Sequence, residues 1–473
     1  MSYEIPRNTP ESQGVPSEVI VDILNDFDKL DYMKSIIIMR HGNIITEAYW
    51  KPFDKDMPQA LWSLSKSFTS CAVGLAQSEK LLSVNDKLIG FFPEYRSCVT
   101  DEKMLKVTLR DLLTMRSGHK DCAFPYARND KENNWVRGFL SSPLEYEPGT
   151  HFAYNTLGTY MLGAVIRRVT GVNVREYLMP RLFEPMGITP GVWECCPAGT
   201  NVSGFGLHLT TMDIAKFSLM LLNKGMWNGI RIMPADYLED AVKPHADNSM
   251  NALPDWSCGY GYQFWCSRHG FRGDGACGQY AIMLPVYDMA VAVNSAMSGM
   301  DRVLNILWDK LLPVLENQPL AENNGAWSAL ESRCRTLEIL PAEKGNISRM
   351  IDCTFALNHN SAGIESGSLV ADREGVLLEL KTPRGTEVIR AGFGSFRNSR
   401  IQFQDSRPHP VAGSAAWKDE NTLELSLMHL DGTFKDKWTI GIQDEGIQIC
   451  WQTVCSLFRP LLPRLSSCGF SGK

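Results

Sequence analysis

Between Leu64 and Ala76 the apolar residues Leu64, Phe68, Cys71, Ala72, Leu75 and Ala76 recur at helical spacing, which predicts a helix with one face in a core. Ser63-Leu64-Ser65-Lys66 stands at its mouth. A lysine three positions after the serine lies almost one turn on and on nearly the same face, so its amine reaches the hydroxyl. The helix dipole favours an alkoxide developing at that end. This arrangement suggests a serine made nucleophilic by lysine rather than by histidine. An ordinary lysine titrates near pH 10.4, so Lys66 acts as a base near neutrality only if burial or nearby positive potential makes it titrate roughly 2–3 pH units lower. The alternative is that Lys66 stays charged and another group takes the proton.

The same spacing occurs again at Ser117-Gly118-His119-Lys120. There the glycine and the polar run after it predict a loop or helix end instead of a serine held at a helix start, and chance accounts for that copy.

A chain of 473 residues with ordinary apolar and charged content supports a large core and a second domain. The net charge of -6, with no Lys/Arg cluster interleaved with aromatics, argues against a nucleic-acid partner. Met1 to Arg7 lacks the basic and then apolar pattern of a signal peptide, and no apolar run approaches membrane-spanning length, so a cytoplasmic enzyme with no membrane partner is expected. The 13 cysteines are odd in number and scattered, with Cys195 and Cys196 adjacent. They form no disulfide framework or metal knuckle and are expected to be reduced and mostly buried. With no His-Glu-x-x-His pair and no Gly-x-Ser-x-Gly elbow, neither a metal, a cofactor nor a Ser-His-Asp triad is expected, and His119 and His208 read as structural.

Ser35–Met39 and Ile44–Tyr49 flank His41-Gly42-Asn43 and read as a hairpin. A helical middle follows, in which Thr210-Thr211-Met212-Asp213 resembles a capping box leading a helix to Gly225. Strands return at Tyr260–Cys266, Tyr280–Leu284 and Met289–Val293. Strands at both ends of a helical middle imply one sheet joined by the two ends of a domain. We expect that domain over 1–320, its fold closing near residue 315, a linker-like stretch from Asn317 to Gly325, and a smaller all-β domain over 335–473 with no chemical motif.

Two further segments accompany Ser63. Tyr154 precedes a helical pattern (Leu157, Tyr160, Met161, Ala164, Val165) that ends at Gly171. Beside a lysine ammonium its phenol could ionise, act as base towards Ser63 and return the proton to a leaving group, although alone it would read as a half-buried core tyrosine. Phe271-Arg272-Gly273-Asp274-Gly275-Ala276-Cys277-Gly278-Gln279 lies directly before a strand, and its glycines let the backbone approach a substrate and aim an N–H at an oxyanion.

In this order and spacing the three elements resemble the class C β-lactamase and DD-peptidase group of serine hydrolases, which includes esterases and 6-aminohexanoate-dimer hydrolases. Residues 5 to 315 share the resemblance, with Thr9–Gly14, Leu109–His119, Glu147–Thr150 and Gly206–Thr210 contributing. It implies an α+β (α/β sandwich) fold, an antiparallel sheet flanked by helices with a helical subdomain. It also implies Ser63 as nucleophile, Lys66 and Tyr154 as the proton-transfer pair, and the N–H groups of Ser63 and Ala276 as oxyanion hole, with Gly275 acting through backbone placement. The reaction implied is acyl-enzyme formation and hydrolysis on a small ester, amide or peptide-like substrate.

Two departures bear on substrate. The group often has Tyr-x-Asn, whereas Asn155 follows Tyr154 at once, which puts amide recognition in question. Where the group often has Lys-Thr-Gly or His-x-Gly, this chain has Gly273-Asp274-Gly275, so the cation for a β-lactam carboxylate is missing unless Arg272 supplies it. Weak or no β-lactamase activity is expected. An acyltransferase using the same acyl-enzyme, or a catalytically silent peptide- or lactam-binding protein, is the alternative, and a homo-oligomer is left open. Trp135, Trp193, Trp256 and Trp265 are candidate cleft liners.

Overall fold

The structure is a computed structural model describing residues 3–30, 32–343, 345, 349–360, 362–403, 407–443, 446–454 and 464–472. The chain forms two compact units. One contains Met1–Ala48, Pro58–Ser295 and Gly299–Arg335, the other Tyr49–Met57, Ala296–Ser298 and Thr336–Lys473.

In the first unit six strands make one sheet, in the order Asn43–Tyr49, Met33–Arg40, Met289–Ser295, Gln279–Leu284, Gly270–Gly275, Trp265–Ser267. The early hairpin is present, and its strand Met33–Arg40 pairs antiparallel with Met289–Ser295, setting Ile36 opposite Val293 and Ile38 opposite Val291. The two ends of the unit therefore meet in mid-sheet, as the strand pattern implied. Both strands are buried at every position, including the apolar runs 36–39 and 289–293 and the polar Lys34, Arg40 and Asn294 beside them. Helix Thr211–Leu222 packs on Met289–Ser295 and Gln279–Leu284. Its capping box is made: Thr210 Oγ1 accepts from Asp213 N (3.1 Å), and Asp213 Oδ2 accepts from Thr210 N (3.1 Å).

The helix after Ser63 departs from expectation. Trp62–Leu64 forms a 3₁₀ turn, Ser65–Ser78 continues as α-helix, and every residue from Ser65 to Ala76 is buried. The polar face that suggested exposure consists of small hydroxyls, and each finds a partner. Ser67 Oγ donates to Gln263 O (2.9 Å), Thr69 Oγ1 to Ser203 O (2.9 Å), Ser65 Oγ accepts from Leu207 N (3.2 Å), and Ser70 Oγ meets the Tyr237 hydroxyl (3.0 Å). A buried hydroxyl is tolerated when it is bonded, so this helix runs through the core instead of along its surface.

The second unit is a ten-stranded closed barrel running from Ile351–Leu357 to Arg464–Gly472, which pair with each other. Alternate residues of Ile351–Leu357 point inward, the period of a half-buried strand. Trp438 and Trp451 stack inside at 4.5 Å. Eleven cysteines have described side chains and none of these forms a disulfide, but only five are buried and Cys195 is exposed. Several lie at the margins of elements, where a scattered sequence pattern gives no burial signal.

Candidate active site

Ser63 occupies the 3₁₀ turn that opens the buried helix, and Trp62 before it takes a left-handed backbone (φ 49°), an uncommon conformation for a bulky residue. Lys66, one turn on, is 1% exposed and places Nζ 3.0 Å from Ser63 Oγ. It also donates to the Gly204 carbonyl at 2.7 Å. Burial pushes its ammonium down to about 7, against the opposing pull of Cys122 and Asp274. A lysine lowered this far has a substantial neutral population near pH 7, which a base requires.

Tyr154 lies two residues before helix Thr156–Thr170, which ends as expected on a left-handed Gly171 (φ 79°). Its ring centroid is 4.9 Å from Lys66 Nζ. Burial drives the phenol well above its ordinary range, Asp274 adds to the rise, and a hydrogen bond with Ser63 works against it. Trp265 stacks on the ring at 5.4 Å and 16°.

The glycines of strand Gly270–Gly275 bring the third element in. A Cβ on Gly275 would sit 2.0 Å from Leu61 O, and one on Gly273 2.5 Å from Ser67 Oγ. No other residue lets this strand lie so close to the Ser63 turn. The ladder ends at the pair Gly275 and Gln279, which leaves Ala276 in the turn beyond it. Gln279 Nε2 donates to Ala276 O (3.1 Å) and Ser295 O (2.7 Å), while Ser295 Oγ donates to Cys277 O (2.7 Å). These bonds fix the orientation of the Ala276 peptide.

Other sequence candidates are placed differently. Asn155 is buried and caps the helix: Oδ1 accepts from Ala123 N (3.1 Å) and Gly158 N (3.4 Å), and Nδ2 donates to Ser117 Oγ (3.4 Å). Arg272 is fully buried, with Nε donating to Asp274 Oδ2 (3.0 Å), Nη1 to Asp255 O (2.7 Å) and to Ser267 Oγ. Trp265 and Trp256 lie beside the site, the latter 4.4 Å from the Arg272 guanidinium. Trp135 instead packs on Phe124 and Tyr160, and Trp193 donates to Phe205 O. In the second Ser-x-x-Lys copy Ser117 bonds His119 (2.9 Å), while Lys120 turns to Glu145 (3.7 Å).

Sequence reasoning missed the Gly204 carbonyl and the Gln279 clamp. The run Ser203-Gly204-Phe205-Gly206 was the only signal for the first: a Cβ at Gly204 would sit 2.6 Å from Thr156 Cγ2, so glycine is required for its loop to reach Lys66. In the barrel unit His409, His429 and Asp431 offer ligand atoms within 4.8 Å of one another. Asp431 is already paired with Arg407 (2.7 Å) and His409 (3.0 Å), and His429 with Asp436 (3.0 Å), so these ligand atoms already have protein partners and we read no metal centre there. Among the described residues no helix is long and apolar enough to cross a membrane.

The Beta-lactamase family profile matches residues 31–311. The chain is 24% identical to the 6-aminohexanoate-dimer hydrolase of Paenarthrobacter ureafaciens over 56% of its own length and 73% of the hydrolase. It is 29% identical to the lovastatin esterase of Penicillium rubens over 27% of its own length, and spans only 38% of that esterase. In fold it is similar to EstCE1, a hydrolase with promiscuous acyltransferase activity, at TM-score 0.52 and 17% identity over 62% of this chain and 98% of that one. The profile match runs through every element that builds the Ser63 site, from the strand at Met33 to the segment after Asp301, and on that ground the chain belongs to the Beta-lactamase family.

Proposed function

We propose that the chain is a serine hydrolase acting on a small ester or amide through an acyl-enzyme on Ser63. The observation that carries this reading is the 3.0 Å approach of Lys66 Nζ to Ser63 Oγ, with Lys66 held near neutrality by burial. Neutral Lys66 takes the Ser63 proton as Oγ bonds to the substrate carbonyl carbon, and the carbonyl π pair moves onto oxygen. The N–H groups of Ser63 and Ala276 receive that oxyanion, each donor contributing about 3 kcal/mol. Collapse breaks the bond to the leaving group, which takes the proton from Lys66 by way of Tyr154. Water then attacks the acyl carbon and gives a proton to the same pair, which passes it to Ser63 Oγ as the acyl–oxygen bond breaks and the acid is released. The high titration point of Tyr154 favours Lys66 as base and Tyr154 as a neutral relay over a standing phenolate.

The test is intact mass after incubation with a serine-directed fluorophosphonate and, separately, with activated esters and β-lactams. We expect one adduct, mapped to Ser63, absent in Ser63→Ala, and faster clearance of ester adducts than of lactam adducts. No adduct with any reagent overturns the reading in favour of a silent binder. Products analysed with an added alcohol decide between hydrolysis and acyl transfer to that acceptor.

A further inference from the structure

The strand that brings Ala276 to Ser63 carries a polar pair that the reaction above does not use. Side chains alternate along Gly270–Gly275. Gly273 and Gly275 face the Ser63 helix, as their contacts with Ser67 and Leu61 show, so Arg272 and Asp274 project from the opposite side, beside Trp256 and Trp265. Both are buried, at 0% and 7% exposure. Arg272 Nε and Nη2 each lie 3.0 Å from the same Asp274 oxygen, and Nη2 makes no directed hydrogen bond of its own. Asp274 also accepts from the Trp265 side chain, the ring stacked on Tyr154, and its charge is felt at both Lys66 and Tyr154. Asp274 thus sits one stacked ring away from Tyr154, and the arginine beside it is already engaged.

We propose that Asp274 is a built-in carboxylate that occupies Arg272 and makes the Ser63 site selective for substrates without a negative charge near the scissile bond. The inference rests on the Ser63 reading and deepens it. A substrate carboxylate entering this site meets Asp274, with Arg272 already engaged and Lys66 largely stripped of charge above pH 7, whereas an uncharged acyl or leaving group meets the aromatic surface of Trp256, Trp265 and Tyr154. Discrimination built on like charge in a poorly hydrated site is strong, because water screens it little. The pair also gives the RGDG segment a role opposite to that of a carboxylate receptor. Arg272 alone would be such a receptor, and Asp274 closes it.

The test compares hydrolysis of p-nitrophenyl butyrate, mono-p-nitrophenyl glutarate and 3-carboxy-4-nitrophenyl butyrate, which share a nitrophenolate leaving group and place the charge nowhere, in the acyl part or in the leaving group. In the wild type, kcat/KM for the neutral ester should exceed that for either anionic ester by roughly 10–100-fold. In Asp274→Asn, which keeps the shape and frees the Arg272 charge, the preference against at least one anionic ester should shrink at least about tenfold. A merely structural role for Asp274 would lower all three rates together and leave the ratios unchanged. Equal turnover of neutral and anionic esters by the wild type overturns the proposal without any variant, as does an unchanged ratio in a folded Asp274→Asn. Fluorophosphonate labelling of Ser63 separates the two readings. A labelled Ser63 with no charge discrimination overturns this inference alone, and an unlabelled Ser63 overturns the hydrolase reading and this one with it.

Discussion

At the scale of single residues the site turns on one buried amine. A lysine that titrates near 7 is a base above that pH and an inert ammonium below it. With Lys66 as the base, kcat/KM for a neutral ester should rise about tenfold per pH unit below 7 and level off above it. A pH profile flat between 5 and 9 would remove Lys66 from that role. Lys66→Met keeps the volume and loses the proton acceptor, so turnover should fall by roughly 10²–10⁴-fold with the fold intact by circular dichroism. The Ser63–Lys66 relation was legible because spacing within one helical turn fixes it. Asn155 and Arg272 were not: Asn155 is drawn into a cap with Ala123, 32 residues earlier, and Arg272 into a pair with Asp274 and the Asp255 carbonyl, contacts that no local pattern encodes.

At the scale of elements, the site depends on how closely strand Gly270–Gly275 lies to the Ser63 turn. A methyl group on Gly275 would collide with the Leu61 carbonyl at 2.0 Å and crowd Leu64 N at 3.1 Å, both backbone atoms that cannot turn aside. Gly275→Ala should therefore cost about 1–3 kcal/mol of stability and, by moving Ala276, slow acylation of Ser63 roughly 100-fold. Gly90→Ala, where a methyl group would meet nothing within 4 Å, serves as control and should leave both unchanged. Urea unfolding and fluorophosphonate labelling rates read the two effects. The helix caps at Thr210 and Gly171 were readable because capping is local chemistry, whereas the full burial of Ser65–Ala76 was not. Its hydroxyls look polar in sequence, and only their distant partners make them core residues.

At the scale of the whole molecule, the two units raise separate questions of stability. In the barrel unit burial works to raise the Asp431 carboxyl, but His409 and Arg407 hold it down to about 2. A carboxylate lowered on folding stabilises at pH values above its unfolded value near 3.8, and that contribution is lost as pH falls through its folded value. Asp431→Asn should then lower stability by about 2 kcal/mol at pH 7 and by almost nothing at pH 2, measured by urea unfolding at both. We also propose that a boundary near 335 cuts the barrel unit short on its N-terminal side. Lys51 exchanges backbone bonds with Leu337 O (3.1 Å) and Ile339 N (2.7 Å), all within that unit. A chain ending at residue 335 should expose Tyr49–Met57 to protease, and one ending at 341 should protect it. By itself the sequence determined the early hairpin, the strands at Tyr280 and Met289, the caps, the alternating pattern of the barrel and the helix that sets Lys66 over Ser63, because each follows from periodicity or from chemistry within a few residues. It did not determine that Tyr260–Cys266 shortens to Trp265–Ser267 or that Gly270–Gly275 is itself a strand, which pairing across the sheet decides. Tertiary structure alone decided that the Ser63 helix is buried on all sides, that the Gly204 carbonyl meets Lys66 and Gln279 meets Ala276, and that Arg272 is spent on Asp274, because these depend on which distant backbone and charge a side chain meets once water has been excluded.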